Sequence, residues 1–268
     1  MKIHPTAIVS PQAMLGEDVE VGAYAIIGDG VHLGAGTVVQ AHAVIEGDTH
    51  LGERNKVGYG AVIGAPPQDF AFKPSLQSAV RIGNGNTFRE YVTIHRGTKE
   101  GTTTVVGDDC YLMVGTHLAH NNKIGNKVII ANNCLLAGYV EIGDGAILGG
   151  GTVFHQFIRI GHMAMVRGGT RFGKDIPPYV TANGENIITG INVIGLRRAG
   201  LAAETRMELK RVFRAVFASK LNMSQALAEA EKESWGAEAK SFLEFVRASK
   251  RGLCHLKRAG EYAGGPED

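Results

Sequence analysis

The residues best suited to chemistry in this chain of 268 residues are a histidine and a glycine that lie 18 positions apart. His120 supplies an imidazole, the side chain most often used as a general base near neutral pH. Gly138 has no side chain to cover its backbone N–H, so this N–H can face an oxyanion as it develops. The pair predicts base-catalysed chemistry, provided that the fold brings the two residues together.

A repeat of six residues runs through most of the chain and must position this pair. A large apolar residue takes every sixth place in two series, which differ by one residue in phase and are interrupted once, at Glu100. The residue two places earlier is usually small or β-branched. The large apolar residues are Ile3, Val9, Leu15, Val21, Ile27, Leu33, Val39, Ile45, Leu51, Val57 and Ile63, then Ile82, Phe88, Ile94, Val106, Leu112, Leu118, Ile124, Ile130, Leu136, Ile142, Leu148, Phe154, Ile160, Val166 and Phe172.

Each hexad predicts one short strand and one corner, with the large residue pointing inward and the small residue beside it. Three hexads close a triangular coil of 18 residues, and stacked coils pair through parallel strands about 4.8 Å apart. The predicted fold class is therefore an all-β solenoid plus α, in which a parallel β-helix precedes a small helical domain. The period itself does not determine the hand of the coil.

A coil of 18 residues places residues 18 positions apart one above the other, and this gathers several polar residues at one outer corner. None of them occupies the inward place of its hexad, so several are expected to face outward or to line a groove. The residues placed there are His120, Asn121, Gly138, Tyr139, His155 and Gln156, and His117 is expected beside them.

Two interruptions of the period predict loops that leave the prism. The first lies near 64–81 and the second near 97–103. Because the wall of a solenoid is flat, a site with depth needs such a loop or a second subunit. Gln68 and Asp69, beside the apolar Phe70, are candidates to hold the hydroxyl groups of a sugar.

The period changes from six to three and four residues at Arg198, which predicts helices. The predicted helical stretches lie near 209–217, from 224 onward and near 242–246. We therefore divide the chain into a repeat domain, 1–196, and a C-terminal helical domain with a short tail, 197–268. Between the two periods, 174–195 is expected to be a connector with an extended piece at 179–181.

The predicted helical domain is much more basic than the repeat domain. Residues 197–258 carry 14 basic and 7 acidic side chains, residues 1–196 carry 14 basic and 16 acidic ones, and 259–268 adds three acidic ones. A basic surface attracts an acidic partner, of which nucleic acid is one example. On charge alone, a solvated helix face is the alternative.

The composition excludes several classes of protein. A hydrophobic content of 44% with a net charge of +2 excludes a disordered chain. With no apolar run of about 18 residues and no secretory leader pattern, neither a membrane span nor secretion is expected, and the cytoplasm is the expected compartment. Cys110, Cys134 and Cys254 lack the spacing of a zinc or disulfide framework and are expected to be small buried residues.

A set of short motifs accompanies the hexads in a fixed order along nearly the whole chain. They are His4-Pro5-Thr6-Ala7, Gln68-Asp69, Thr93-Ile94-His95-Arg96-Gly97-Thr98, His117-Leu118-Ala119-His120, Ala131-Asn132-Asn133, Leu136-Ala137-Gly138, His155-Gln156-Phe157, Pro177-Pro178-Tyr179-Val180 and Gly190-Ile191-Asn192-Val193-Ile194-Gly195-Leu196-Arg197-Arg198. In these motifs the chain resembles the UDP-N-acetylglucosamine O-acyltransferases that begin lipid A biosynthesis, a family of hexapeptide-repeat proteins.

The resemblance implies a left-handed β-helix and a homotrimer with active sites in the clefts between neighbouring prisms. It further implies transfer of a 3-hydroxyacyl group from the phosphopantetheine of acyl carrier protein to the sugar 3-hydroxyl of UDP-N-acetylglucosamine, with no bound cofactor and no metal. Acyl carrier protein is strongly acidic, so it fits the basic domain better than nucleic acid does.

The resemblance also implies roles for individual residues. His120 would be the general base and Gly138 the oxyanion donor. The substrate-binding residues would be Gln68, Asp69, His95, His117, Asn121, Tyr139, His155, Gln156, Asn192 and Arg198. Gly168 would end the groove for the acyl chain and leave room for a long one.

Two departures from the family pattern lie at the predicted corner. Asn121 stands where the family usually has Asp, and Tyr139 stands where it has His. Asn can orient the imidazole by accepting its N–H but cannot stabilise an imidazolium by charge, so we expect a weaker base. This leads to the hypothesis that a 3-amino analogue of the sugar is the acceptor, because an amine is a better nucleophile.

Three alternatives remain at this point. One is a γ-type carbonic anhydrase on the same prism, with His95, His117 and His120 as zinc ligands, although the latter two are three apart rather than five. Another is a coenzyme A-dependent sugar acetyltransferase, which would work without a carrier protein. The last is a non-catalytic scaffold of hexad repeats.

Overall fold

The computed structural model of this chain describes residues 1–257. The acidic tail predicted at 259–268 lies outside the described residues. No helix within the described range is both long enough and apolar enough to cross a membrane.

Very short strands alternate with corners through the first part of the chain, as the hexads predict. Before the first excursion they are β1 (Lys2–Ile3), β2 (Ile8–Val9), β3 (Met14–Leu15), β4 (Glu20–Val21), β5 (Ile26–Ile27), β6 (Val31–Leu33), β7 (Val38–Val39), β8 (Val44–Ile45), β9 (Asp48–Leu51), β10 (Lys56–Val57) and β11 (Val62–Ala65). Between the excursions they are β12 (Ala79–Ile82), β13 (Thr87–Phe88) and β14 (Thr93–His95).

The strands resume after the second excursion and continue to the end of the repeat. They are β15 (Thr103–Val106), β16 (Tyr111–Leu112), β17 (His117–Leu118), β18 (Lys123–Ile124), β19 (Ile129–Ile130), β20 (Leu135–Leu136), β21 (Glu141–Ile142), β22 (Ile147–Leu148), β23 (Val153–Phe154), β24 (Arg159–Ile160), β25 (Met165–Val166) and β26 (Arg171–Phe172).

Within residues 1–257 these strands form three parallel sheets, one for each wall of a prism. Sheet A contains β1, β4, β7 and every third strand to β25; sheet B runs in the same way from β2 to β26, and sheet C from β3 to β24. Pairing of His117 with Leu135 and of Leu135 with Val153 confirms the predicted rise of one strand per 18 residues. The protein is a left-handed parallel β-helix.

The inward column of large residues forms the core of the prism. Leu118, Leu136 and Phe154 stack in successive coils and are at most 1% exposed. Ring centroids of Phe154 and Phe172 lie 5.8 Å apart in a stacked arrangement. Close packing of this kind leaves no room inside for the polar corner residues, which therefore lie on the outer wall.

Both predicted excursions occur, and both leave the prism at the corner between sheets B and C. The first occupies 66–78, between β11 and β12, and the second 96–102, between β14 and β15. They are joined to each other, because the N–H of Gly101 donates to the carbonyl of Gln77 over 2.8 Å. The N–H of Gln77 in turn donates to Glu100 Oε2 over 3.0 Å.

After the last repeat the chain adds strands to sheet A and then forms helices. The elements are β27 (Val180–Asn183), β28 (Ile187–Ile191), α1 (Val193–Arg198), α2 (Ala203–Phe217), α3 (Met223–Ala230), α4 (Ala237–Arg247) and β29 (His255–Leu256). The predicted extended piece and helical stretches correspond to β27, α2, α3 and α4. The short helix α1 was not predicted, since six residues are too few to reveal a helical period.

A buried carboxylate joins the last coils to the helices. Asp175 is 1% exposed and accepts from the Arg159 backbone over 2.9 Å and from its guanidinium over 3.2 Å. Ser249, just after α4, donates to the same carboxylate over 2.9 Å. The Arg159 guanidinium also donates to the Phe245 carbonyl on α4 over 3.0 Å, so a single cluster ties three segments together.

We expect Asp175→Ala to lower the free energy of unfolding by about 3 kcal/mol, because it leaves the partly buried Arg159 without its counter-ion. Urea unfolding followed by circular dichroism measures the change. Glu185→Ala is the matched control, since it breaks the exposed Arg171–Glu185 pair and is expected to change the free energy by less than about 1 kcal/mol. Equal effects of the two substitutions would contradict the structural role given to Asp175.

Candidate active site at the corner between sheets B and C

Most of the residues singled out in the sequence lie at the corner where the chain passes from sheet B to sheet C. There each coil turns with one residue in the left-handed region: φ is 60° at Asn121, 60° at Tyr139 and 66° at Phe157. Asn tolerates this conformation well, whereas Tyr and Phe adopt it rarely. The corner therefore presents the same three-dimensional turn once per coil, with a different side chain on each.

His120 and Gly138 lie in contact at this corner, as the stacking of coils predicts. A Cβ built on Gly138 would lie 2.6 Å from Nε2 of His120 and would also overlap Cε1. A side chain at position 138 would therefore require the imidazole of His120 to move. Among the described residues, the N–H of Gly138 has no acceptor, whereas the next N–H, of Tyr139, donates to the His120 carbonyl over 2.9 Å.

Asn121 orients the imidazole of His120. Its Oδ1 lies 2.9 Å from Nδ1 of His120 and also accepts from the backbone N–H and the hydroxyl of Thr98, each over 3.1 Å. The side chain is buried, and its backbone N–H donates to Thr104 Oγ1 over 2.7 Å. With Nδ1 engaged in this way, Nε2 is the nitrogen left to react.

Tyr139 and Phe157 build an aromatic column above Asn121. The Tyr139 ring meets the His120 ring edge to face at 5.4 Å between centroids and stacks on Phe157 at 4.8 Å. Its hydroxyl lies 3.3 Å from Thr98 Oγ1. The edge-to-face contact restricts the movement of the imidazole.

Two further histidines lie next to His120 and are uncharged near neutral pH. Burial, followed by the imidazoles of His117 and His120, lowers the pKa of His95 to about 4. Burial and then His120 lower the pKa of His117 as well. The rings of His95 and His117 meet edge to face at 5.0 Å, and Thr93 Oγ1 lies 2.7 Å from Nδ1 of His117. Neutral rings can be clustered in this way without charge repulsion.

His155 and Gln156 lie two coils above His120 and are exposed. Arg251, from the segment after α4, donates to Nδ1 of His155 over 3.0 Å. The C-terminal part of the chain therefore brings a positive charge to the upper end of the corner. Sequence reasoning missed Arg251, because a contact across 96 residues leaves no trace in the hexad pattern.

Gln68 and Asp69 lie on the first excursion and are exposed. Asp69 Oδ1 accepts from the N–H of Ala71 over 2.9 Å, which shapes the loop locally. Phe70 at the tip is fully exposed, whereas Phe72 packs under the Arg96 guanidinium at 5.4 Å. The loop thus exposes two polar side chains and is anchored by its second aromatic ring.

Asn192, Arg198 and Gly168 do not lie at this corner. Asn192 caps α1 at the corner between sheets C and A: its Oδ1 accepts from Gly195 N–H over 3.1 Å and its Nδ2 donates to the Met163 carbonyl over 3.1 Å. Arg198 ends the same helix and is exposed. Gly168 lies at the corner between sheets A and B, where a Cβ would come within 2.9 Å of the Gly150 carbonyl oxygen. One chain alone therefore does not bring all the predicted residues together.

The zinc alternative gains no geometric support from the described part of the chain. In residues 1–257 no three His, Cys, Asp or Glu side chains converge in an arrangement that could hold a metal ion.

Comparisons with known proteins agree with this fold. A family model described as Udp N-acetylglucosamine O-acyltransferase, domain 2, matches residues 175–254. A relative from Trichlorobacter lovleyi, named acyl-(acyl-carrier-protein)–UDP-N-acetylglucosamine O-acyltransferase, is 51% identical over 260 residues, covering 95% of this chain and 99% of the relative. A relative of the same name from Thermodesulfovibrio yellowstonii is 43% identical over 256 residues, covering 94% and 99%.

The solved structure of a UDP-N-acetylglucosamine acyltransferase from Bacteroides fragilis has a TM-score of 0.88 to this chain at 38% identity, covering 93% of this chain and 98% of the other. The fold and the site define a hexapeptide-repeat protein of the acyltransferase class. With relatives of this identity along nearly its whole length, the chain belongs to the family of UDP-N-acetylglucosamine O-acyltransferases.

Proposed function

We propose that this protein transfers a 3-hydroxyacyl group from acyl carrier protein to the 3-hydroxyl of UDP-N-acetylglucosamine, the first step of lipid A biosynthesis. The observation that carries the proposal is the packing of the oriented imidazole of His120 against Gly138, whose N–H has no acceptor among the described residues. A base and an oxyanion donor side by side are what attack on a thioester requires.

In the proposed reaction, Nε2 of His120 removes the proton of the sugar hydroxyl as its oxygen attacks the thioester carbonyl. The Gly138 N–H donates to the oxyanion of the tetrahedral intermediate. When this collapses, the C–S bond breaks and the imidazolium returns its proton to the phosphopantetheine sulfur. The donor is thus a substrate, and no bound cofactor takes part in any step.

The remaining corner residues are assigned to substrate binding by their position. Gln68, Asp69 and His95 are assigned to the sugar or nucleotide. His117, Tyr139, His155 and Gln156 support the reacting groups from the coils around them, and Asn121 orients the base. Gly168 lies at another corner and is assigned to the end of the acyl groove by resemblance to the family alone.

The carrier protein is proposed to dock on the basic C-terminal part. Residues 1–196 would then hold the chemistry and 197–268 the docking surface. The excess of basic side chains in 197–258 supports this division, because acyl carrier protein is acidic. The contact of Arg251 with His155 supports it too, since it joins the two parts at the active corner. The proposed compartment is the cytoplasm, where the enzyme meets its carrier protein.

A homotrimer is proposed because one chain holds an incomplete set of residues. Asn192 and Arg198 lie at a different corner from His120, so a neighbouring subunit is needed to bring an Arg198 to each His120. Mixed trimers test this. His120→Ala and Arg198→Ala are each expected to be nearly inactive, and co-refolded mixtures are expected to regain activity in clefts that receive one intact residue from each chain. Absence of any recovery in confirmed mixed trimers would overturn the shared site.

The proposed function is tested by identifying the product. We expect purified protein, incubated with 3-hydroxyacyl carrier proteins of several chain lengths and with UDP-N-acetylglucosamine, to yield a singly acylated sugar nucleotide by mass spectrometry. The 3-amino sugar nucleotide is run in parallel, and a clear preference for the hydroxyl sugar rules out the amino hypothesis. Acetyl coenzyme A is the control donor, and turnover with it alone would favour the acetyltransferase alternative.

A further inference from the structure

Thr98 directs two hydrogen-bond donors at the residue that orients His120. It lies on the 96–102 excursion, and its backbone N–H and its hydroxyl both donate to Asn121 Oδ1 over 3.1 Å. Thr98 and Asn121 are only 9% and 6% exposed. Water therefore competes little for these bonds, which gain strength from the low local dielectric.

The two donors of Thr98, its backbone N–H and its hydroxyl, together determine which end of the Asn121 amide faces the imidazole. The oxygen and the NH₂ of an amide have nearly the same shape, and only their partners distinguish them. A backbone N–H can only donate, so it requires the oxygen. The same oxygen lies 2.9 Å from Nδ1 of His120, which must therefore carry a hydrogen. In a neutral imidazole the lone pair is then on Nε2.

The hydroxyl of Tyr139 extends this network in a fixed direction. Thr98 Oγ1 has a single hydrogen, which it donates to Asn121. The 3.3 Å contact between Tyr139 Oη and Thr98 Oγ1 is therefore a bond in which Tyr139 donates. Tyr139 thus donates to Thr98, and Thr98 donates to Asn121 Oδ1. The same oxygen accepts from Nδ1 of His120.

The excursion that presents Thr98 is held without help from Asn121. The Thr102 hydroxyl donates to the Lys99 carbonyl over 2.7 Å and accepts from the Lys99 N–H over 3.1 Å. Gly101 is bonded to Gln77 on the other excursion. Thr98 thus approaches the corner from a turn that is already closed.

We propose that Thr98 is a positioning residue for acyl transfer: it holds Asn121 Oδ1 against His120 Nδ1 and so fixes the tautomer whose Nε2 can accept a proton. The inference rests on the proposed role of His120 as the base. It also gives the second excursion a function. The hydrogen bonds from Thr98 keep Asn121 in the orientation that holds the imidazole, although the neutral Asn121 cannot attract an imidazolium by charge.

Nitrogen-15 NMR of histidine-labelled protein measures the tautomer without any substrate. The His120 signals, identified by their loss in His120→Ala, are expected to show a protonated Nδ1 and an unprotonated Nε2 above neutral pH. The opposite tautomer in the unmutated protein overturns the proposal, whatever the activity is.

Thr98→Val keeps the shape and the backbone N–H and removes the hydroxyl. We expect kcat to fall about three- to tenfold, the KM for the sugar nucleotide to stay the same, and part of the His120 population to move to the other tautomer. Thr98→Ser restores the hydroxyl and is expected to recover most of the lost turnover.

Thr87→Val is the matched control, because it removes a hydroxyl from β13 in sheet A, away from Asn121 and from both excursions. It is expected to leave the tautomer and kcat as they are. Unchanged tautomer and kcat in Thr98→Val, or the same losses in Thr87→Val, overturn the proposal. Lack of acyl transfer by the unmutated protein with every donor and acceptor would instead overturn the proposed function, while the tautomer would still be measured.

Discussion

His120→Ala is expected to lower kcat for acyl transfer by about 10²- to 10⁴-fold, the range by which a positioned general base accelerates proton transfer. The imidazole is half-buried on the outer wall. Its removal takes nothing from the inward apolar column, so the melting temperature and the assembly state are expected to stay the same. Kinetics with saturating carrier protein and sugar nucleotide measure the loss in kcat.

The control for this substitution is His32→Ala, which removes an imidazole from sheet C. His32 stacks on His50 at 3.9 Å between ring centroids, far from the proposed chemistry. It is expected to keep full turnover. Undiminished transfer by His120→Ala would favour a non-catalytic scaffold for this chain, or a base elsewhere, and would contradict the proposed function.

Gly138→Ala is expected to lower kcat about 100-fold or more, although it adds only one methyl group. The new Cβ would overlap Cε1 of His120 and approach Nε2 within 2.6 Å. The ring cannot move away freely, because Asn121 holds Nδ1 and the Tyr139 ring packs against it edge to face. A displacement of about 1 Å of a catalytic group costs about 100-fold in rate.

Gly173→Ala is the matched control for the added methyl group. Its Cβ would have one neighbour at 4.0 Å, an ordinary van der Waals contact. It is expected to fold and turn over normally. Full turnover in Gly138→Ala would contradict the contact on which the proposed site depends.

The double variant separates displacement of the base from loss of the N–H donor. If Gly138→Ala acts by moving the imidazole, then His120→Ala/Gly138→Ala is expected to be no slower than His120→Ala, since two residues that act as a unit are not additive. A further loss of about tenfold or more would show that the methyl group also blocks the approach of the oxyanion to the Gly138 N–H.

The sequence allowed the repeat architecture to be predicted almost completely. Hexad spacing is a local property, and from Val21 onward each predicted inward apolar residue is buried in the core. At the first coil, Ile3 is exposed, and Val9 and Leu15 are only partly buried. The contact of His120 with Gly138 followed from the same spacing, because residues 18 positions apart in this solenoid lie on adjacent coils, about 4.8 Å from each other. Counting hexads also places Ile63, Ile94 and Leu118 on the same wall of the prism. The two excursions and His120 must therefore follow the same corner, although the sequence analysis did not draw this conclusion.

The hydrogen bonds that make the corner a site required the tertiary structure. Thr98 lies on an excursion where the period fails, so no count of residues places its donors on Asn121. The contact of Arg251 with His155 could not be predicted either, because Arg251 lies after the helices and outside the repeat. Asn192 and Arg198 were assigned to the site by resemblance, and the fold of one chain puts them at another corner.

The sequence by itself determined the prism, the stacking of residues in successive coils, and the contact of His120 with Gly138. This was possible because, in a regular repeat, the number of residues between two positions determines whether they are neighbours in space. Only the tertiary structure decided which nitrogen of His120 is free of a hydrogen-bond partner, which loop holds Asn121, and that Asn192 and Arg198 lie at another corner of the same chain. These features depend on irregular segments and on long-range contacts, whose geometry is set by packing rather than by period.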